Sequence, residues 1–126
     1  MLENLPPATI TALLNTLPID LTYMDADNRI QWFSNHRIFS RPSEIIGSDV
    51  HQCHQPSSWP TIDRMVADFK TGARDVEEHF VVKSDGRKLH IRYLAVRNTA
   101  NQYLGLVEMA EEIKQPSPVS HPDITA

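Results

Sequence analysis

Lys88-Leu89-His90-Ile91-Arg92-Tyr93-Leu94-Ala95-Val96-Arg97 is the stretch on which the architecture turns. Alternation puts Leu89, Ile91, Tyr93 and Ala95 on one face and His90, Arg92, Leu94 and Val96 on the other. Both faces are partly apolar, the pattern of a strand covered on both sides: by pocket helices on one, and by an N-terminal helix or a second subunit on the other. Two further strands flank it, Asp75 to Lys83 and Gln102 to Glu112, joined to it at Ser84-Asp85-Gly86-Arg87 and Asn98-Thr99-Ala100-Asn101.

Immediately upstream, Ser57 or Ser58 caps a helix that carries Pro60 in its first turn and stops at Gly72, with Trp59, Ile62, Met65, Val66 and Phe69 on its core-facing side. Between Ser34 and Val50 the periodicity is poor, but Arg41-Pro42-Ser43-Glu44-Ile45-Ile46-Gly47 reads as one helical turn. Further upstream, Ile19-Asp20-Leu21-Thr22-Tyr23-Met24 and Arg29-Ile30-Gln31-Trp32-Phe33 form an antiparallel hairpin about Asp25-Ala26-Asp27-Asn28. Before it, Pro6-Pro7 opens a short amphipathic helix with Ile10, Leu13, Leu14 and Leu17 on its stripe, ended by Pro18. The expected organisation is an N-terminal helix over residues 1–17, one α+β domain over 18–114, and a disordered tail over 115–126 that holds three prolines between Gln115 and Pro122.

With 126 residues, 40% of them hydrophobic, the chain has room for one core. A net charge of -4, with no long basic run, argues against nucleic acid as a partner. No apolar run reaches the roughly 20 residues of a membrane span, and Met1-Leu2-Glu3-Asn4 lacks the basic flank of a signal peptide. The single cysteine forms no internal disulfide, so a cytoplasmic setting is expected. Phosphate loops, nucleophile elbows and His-Glu-x-x-His are absent from the sequence, and the chain is read as no enzyme.

Chemistry concentrates at His51-Gln52-Cys53-His54-Gln55-Pro56. His51, Cys53 and His54 offer two imidazoles and a thiolate, ligand types that suit haem iron, zinc or copper, with His79 or His90 as a distant fourth ligand for a metal ion. The alternative is that Cys53 packs as a small apolar residue while the histidines cap the following helix or face solvent. If the His90 and Arg92 face lines the pocket, Arg92 is the natural partner of a ligand carboxylate or a haem propionate. Otherwise those residues face solvent or pair with Glu78 or Glu108 across the sheet. Trp59, Ile62, Val66 and Phe69 are expected in the core, and Tyr23, Trp32, Phe33, Phe39 and Phe80 are candidates to line the pocket.

Two strands, a run of helices and three strands is an order that resembles the PAS sensor fold, a five-stranded antiparallel sheet curled around a pocket closed by helices. The hairpin Tyr23 to Ile30, the turn Pro42 to Gly47 and the closing Ala95 to Gly105 resemble its opening pair, pocket entrance and last hairpin. From about Pro18 to Ile113, with Cys53-His54-Gln55-Pro56, Asp68-Phe69-Lys70-Thr71-Gly72 and His90-Ile91-Arg92-Tyr93, the chain is similar to a PAS-like domain. That domain lies at the C-terminal end of a bacterial family of unknown function and often accompanies a hemerythrin-like domain. The resemblance implies a sensory domain that binds a small molecule or cofactor, and the histidine-cysteine junction makes haem the leading candidate and a metal ion second. Such a domain signals through a homodimer or another partner, by population shift. The alternatives are a ligand-free dimerisation module and a metal or haem carrier.

Overall fold

The computed structural model describes residues 1–114 and Thr125, so the expected tail lies almost wholly outside the described residues. Helix α1 (Pro7–Thr16) precedes strands β1 (Asp20–Asp25) and β2 (Ile30–Phe33). Three short 3-10 turns follow, at Ser43–Ile45, Val50–Cys53 and Pro56–Ser58, and then helix α2 (Trp59–Thr71) and strands β3 (Val76–Val82), β4 (Lys88–Arg97) and β5 (Tyr103–Glu112). The strands form one antiparallel sheet in the order β2-β1-β5-β4-β3, so the two hairpins meet where the first strand pairs with the last. Among the described residues no helix is long and apolar enough to cross a membrane.

Local chemistry accounts for the turns. Asp25 Oδ1 accepts from the amides of Asp27 and Arg29 at 2.9 and 3.1 Å, and Asn28 takes the left-handed conformation that closes the β1–β2 turn. Asn98 and Asn101 repeat the device between β4 and β5. At Gly105 an added Cβ would stand 2.1 Å from the carbonyl oxygen of Met24, so β5 can approach β1 this closely only without a side chain.

Alternation resolves cleanly on the central strands. Leu89 and Ile91 of β4 are buried against Ile38 and Ala110, while Met24, Ile30, Val50, Met65, Val66, Phe69 and Leu106 form the larger core under α2. Phe69 is fully buried, and its ring anchors the helix to the sheet. The opposite face of the sheet is less well covered. None of α1 is buried, Leu13 is 47% exposed, and Phe80 and Val82 on the edge strand β3 are 68% and 67% exposed. One tie from α1 to the segment after β2 is the Asn35 amide donating to Asn15 Oδ1 at 3.0 Å.

Candidate functional site

The segment between β2 and α2 lies along the edge of the sheet. Ile30 N donates to Ser48 O at 3.0 Å, Val50 N to Asn28 O at 2.8 Å, and Arg29 Nη1 to Gly47 O at 2.8 Å. These bonds hold the turn Val50–Cys53 over the inner face. Its start is capped by Asp49, whose Oδ1 accepts from the His51 amide at 2.9 Å.

A cavity of about 40 Å³ lies beneath this turn, between α2 and strands β1, β4 and β5. Met24, Ile30, Val50, Ile62, Met65 and Leu106 make it mainly apolar. Its polar lining is Thr22, Arg41, Cys53, His54, Tyr93 and Glu108. Glu108 is only 8% exposed and accepts a hydrogen bond from the Tyr93 hydroxyl. Burial raises its carboxyl above the usual range, and the nearby Asp20 adds to this, while Tyr93, Arg41 and Arg37 oppose it. Arg41 reaches the same cavity and donates from Nη1 to the carbonyl of Cys53 at 3.3 Å.

Outside it opens a wider cleft of about 240 Å³, lined by Ser57, Ser58, Thr61, Glu77 and His79. His54, Ile62, Met65 and Tyr93 line both spaces and form the wall between them. Glu77 is buried at the cleft's edge and held by Arg74 at 2.6 Å and by His79 Nε2 at 2.9 Å. Its carboxyl stays below the usual range, because these hydrogen bonds and the positive charge of Arg74 outweigh the burial that acts the other way.

The residues of the histidine-cysteine junction part company here. Cys53 and His54 line the cavity. His51 instead braces the turn from outside: its Nε2 lies 2.6 Å from Asp63 Oδ1 on α2, its Nδ1 3.0 Å from Asp49 Oδ1, and its ring packs on Trp59 at 5.0 Å. Burial lowers the pKa of His54, helped by Arg41 and His51, and burial raises that of the Cys53 thiol, so both rest neutral at neutral pH. Among the described residues no group of three His, Cys, Asp or Glu side chains is arranged to hold a metal ion.

His90 and Arg92 are on the opposite face of the sheet from Cys53 and His54, so the structure does not bring the four residues together. Leu89, Ile91 and Tyr93 take the inner face of β4, so their neighbours must point outward. His90 stacks on Phe80 at 4.6 Å and lies 3.5 Å from Glu78, as the cross-strand alternative anticipated. Arg92 forms an ion pair with Glu111 rather than with Glu108, which points inward. Trp59 is likewise not core. It is 37% exposed, and its indole N–H is shared between the carbonyls of His51 and His54, at 3.0 and 3.2 Å. Phe80 is on the outer face, and among the aromatic rings the cavity is lined by Tyr93.

Sequence reasoning missed Glu108, Tyr93 and Arg41 as cavity residues. One signal was present: Leu106, Glu108 and Ala110 alternate along β5, so a lone acid shares a face with two apolar residues.

Residues 10–114, most of the chain, match the PAS domain family. The chain belongs to that family. Among solved structures it is similar to a C-terminal domain from Streptococcus mutans at 25% identity and a TM-score of 0.80, covering 87% of both chains. It also shares the fold of a PAS domain from Colwellia psychrerythraea (13% identity, TM-score 0.61, 84% of this chain and 95% of that one). A third likeness is to a sensory box sensor histidine kinase from Vibrio cholerae (9% identity, TM-score 0.59, 86% and 92%). No curated protein matches the chain. The PAS fold is one commonly used for sensing and signal transduction, and this chain carries it over nearly its whole described length.

Proposed function

We propose that this PAS domain is a non-catalytic sensor of a small molecule that binds in the cavity between α2 and the sheet. The observation that carries the reading is Glu108, a buried carboxyl facing a mainly apolar cavity with one hydrogen bond from Tyr93. A group like this destabilises an empty core and is satisfied by a bound partner. The cleft beyond His54, Ile62, Met65 and Tyr93 supplies a route of access.

Haem does not fit these residues. A cavity of about 40 Å³ has space for only about three waters, His51 is engaged by two carboxylates, and His90 and Arg92 are on the other face. A small ligand would instead tighten the packing of α2 and the Val50–Cys53 turn on the sheet and shift the population of their arrangements. Output through a second copy is supported by the outer sheet face, where Val76, Phe80 and Val82 of the edge strand β3 are exposed.

The four methionines offer a direct test. Met24 and Met65 line the cavity, whereas Met1 and Met109 do not. With ¹³C-methyl methionine labelling, a ligand in the cavity shifts the Met24 and Met65 signals and leaves that of Met1 in place. A library of small acids, amines, amides and alcohols that moves neither cavity signal would refute the reading.

A further inference from the structure

Both charged groups of the cavity are short of partners. Glu108 has one protein donor, Tyr93, for a carboxylate with about four lone-pair sites. Arg41 spends one N–H on the carbonyl of Cys53, out of the roughly five a guanidinium carries. Among the described residues no ion pair joins the two, although each lies within electrostatic reach of the other. The cavity thus presents an under-used acceptor and an under-used donor of opposite charge, with Met24, Ile30 and Leu106 as an apolar wall.

A ligand with one charge answers only half of this arrangement. An amine would satisfy Glu108 but face Arg41, and a simple carboxylate would satisfy Arg41 but face Glu108. A molecule with both an ammonium and a carboxylate answers both, at no net change of charge in the buried site. The space of about 40 Å³, or about three waters, limits it to a handful of heavy atoms.

Resting on the sensor reading above, we propose that the cavity takes a small free α-amino acid of glycine or alanine size, with its ammonium on Glu108 and its carboxylate on Arg41. The methyl group of alanine would meet Met24, Ile30 and Leu106. Access is past His54 and Tyr93 from the outer cleft, whose hydroxyl and imidazole lining suits a polar solute.

The test is calorimetric titration of the full chain with glycine, L-alanine, propionate, ethylamine and propionamide, alongside the methionine methyl spectrum. L-Alanine or glycine is expected to bind saturably and shift Met24 and Met65. Propionate and ethylamine each lose one charge-assisted hydrogen bond and should bind roughly tenfold or more weakly. Glu108→Gln and Arg41→Gln should each weaken amino-acid binding by about the same factor. Arg64→Gln, outside the cavity lining, should leave it unchanged. If a variant misfolds, the ligand series on the unaltered chain decides the matter. Propionate, ethylamine or propionamide binding as tightly as L-alanine, or amino acids failing to bind, would overturn the proposal. A different compound that moves the Met24 and Met65 signals while amino acids do not overturns this inference and leaves the sensor reading standing. No response to any compound overturns both.

Discussion

Asp20 and Glu108 are buried acids on the same face of adjacent strands, two residues apart in register, and they differ in what surrounds them. Asp20 is fully buried, and its Oδ1 lies 2.7 Å from Arg37 Nη1. Its Oδ2 accepts from the amides of Ile38 and Phe39 at 2.9 and 3.0 Å. Arg37 in turn donates to the carbonyl of Leu21 at 3.0 Å and to Thr22 Oγ1 at 3.3 Å. This network ties the segment after β2 to the sheet and closes that end of the inner face. Glu108 has Tyr93 and an open cavity. The contrast teaches that a buried charge saturated by its own chain holds the fold together, whereas one left unsaturated beside a void is available to something else.

Removing either partner of the saturated pair should have the largest effect. Asp20→Ala or Arg37→Met leaves a buried charge without its counterpart and is expected to cost about 3–5 kcal/mol in urea denaturation. A loss under about 1 kcal/mol would erase the distinction between the two acids. Glu108→Gln should have the opposite sign, stabilising the domain by on the order of 1 kcal/mol near neutral pH, because it removes a buried charge while keeping an acceptor for Tyr93.

The pH dependence sharpens the contrast. The folded-state pKa of Glu108 is raised, so the stability it contributes is present below the usual carboxylate range and lost as pH rises through the raised value. The gain from Glu108→Gln should therefore be greatest near neutral pH and fade on acidification, as thermal melts across that range would reveal. A gain that grows toward acid pH would contradict the assignment. The smallest effect belongs to Arg41. Among the described residues its one hydrogen bond is a 3.3 Å contact with a carbonyl, and Arg41→Gln should change stability by less than about 0.5 kcal/mol, in contrast to Arg37.

Much of the fold was legible because its signals are local. The turn residues at Asp25, Asn98 and Gly86, the proline near the start and the glycine at the end of α2, and the alternation of β4 and β5 placed all five strands and both helices within a residue or two. Trp59 misled because helical spacing marks a face without saying where that face stops meeting the core. Its position at the first residue of α2 leaves the indole to serve the preceding turn. The Cys53–His54 pair was drawn to the cavity by its position at a junction, whereas His51, three residues before His54, turned to the carboxylates of Asp49 and Asp63.

The sequence alone determined the order of elements, the antiparallel hairpins and the membership of each face of each strand, because these follow from backbone stereochemistry and a two-residue period. Which face of β4 turns inward was decided by tertiary structure, since both are partly apolar and alternation is symmetric between them. The same holds for the two acids. Asp20 and Glu108 are chemically alike in the sequence, and only the return of Arg37 to one and the opening of a cavity at the other, set by residues distant in the chain, separate a structural charge from one left free to bind.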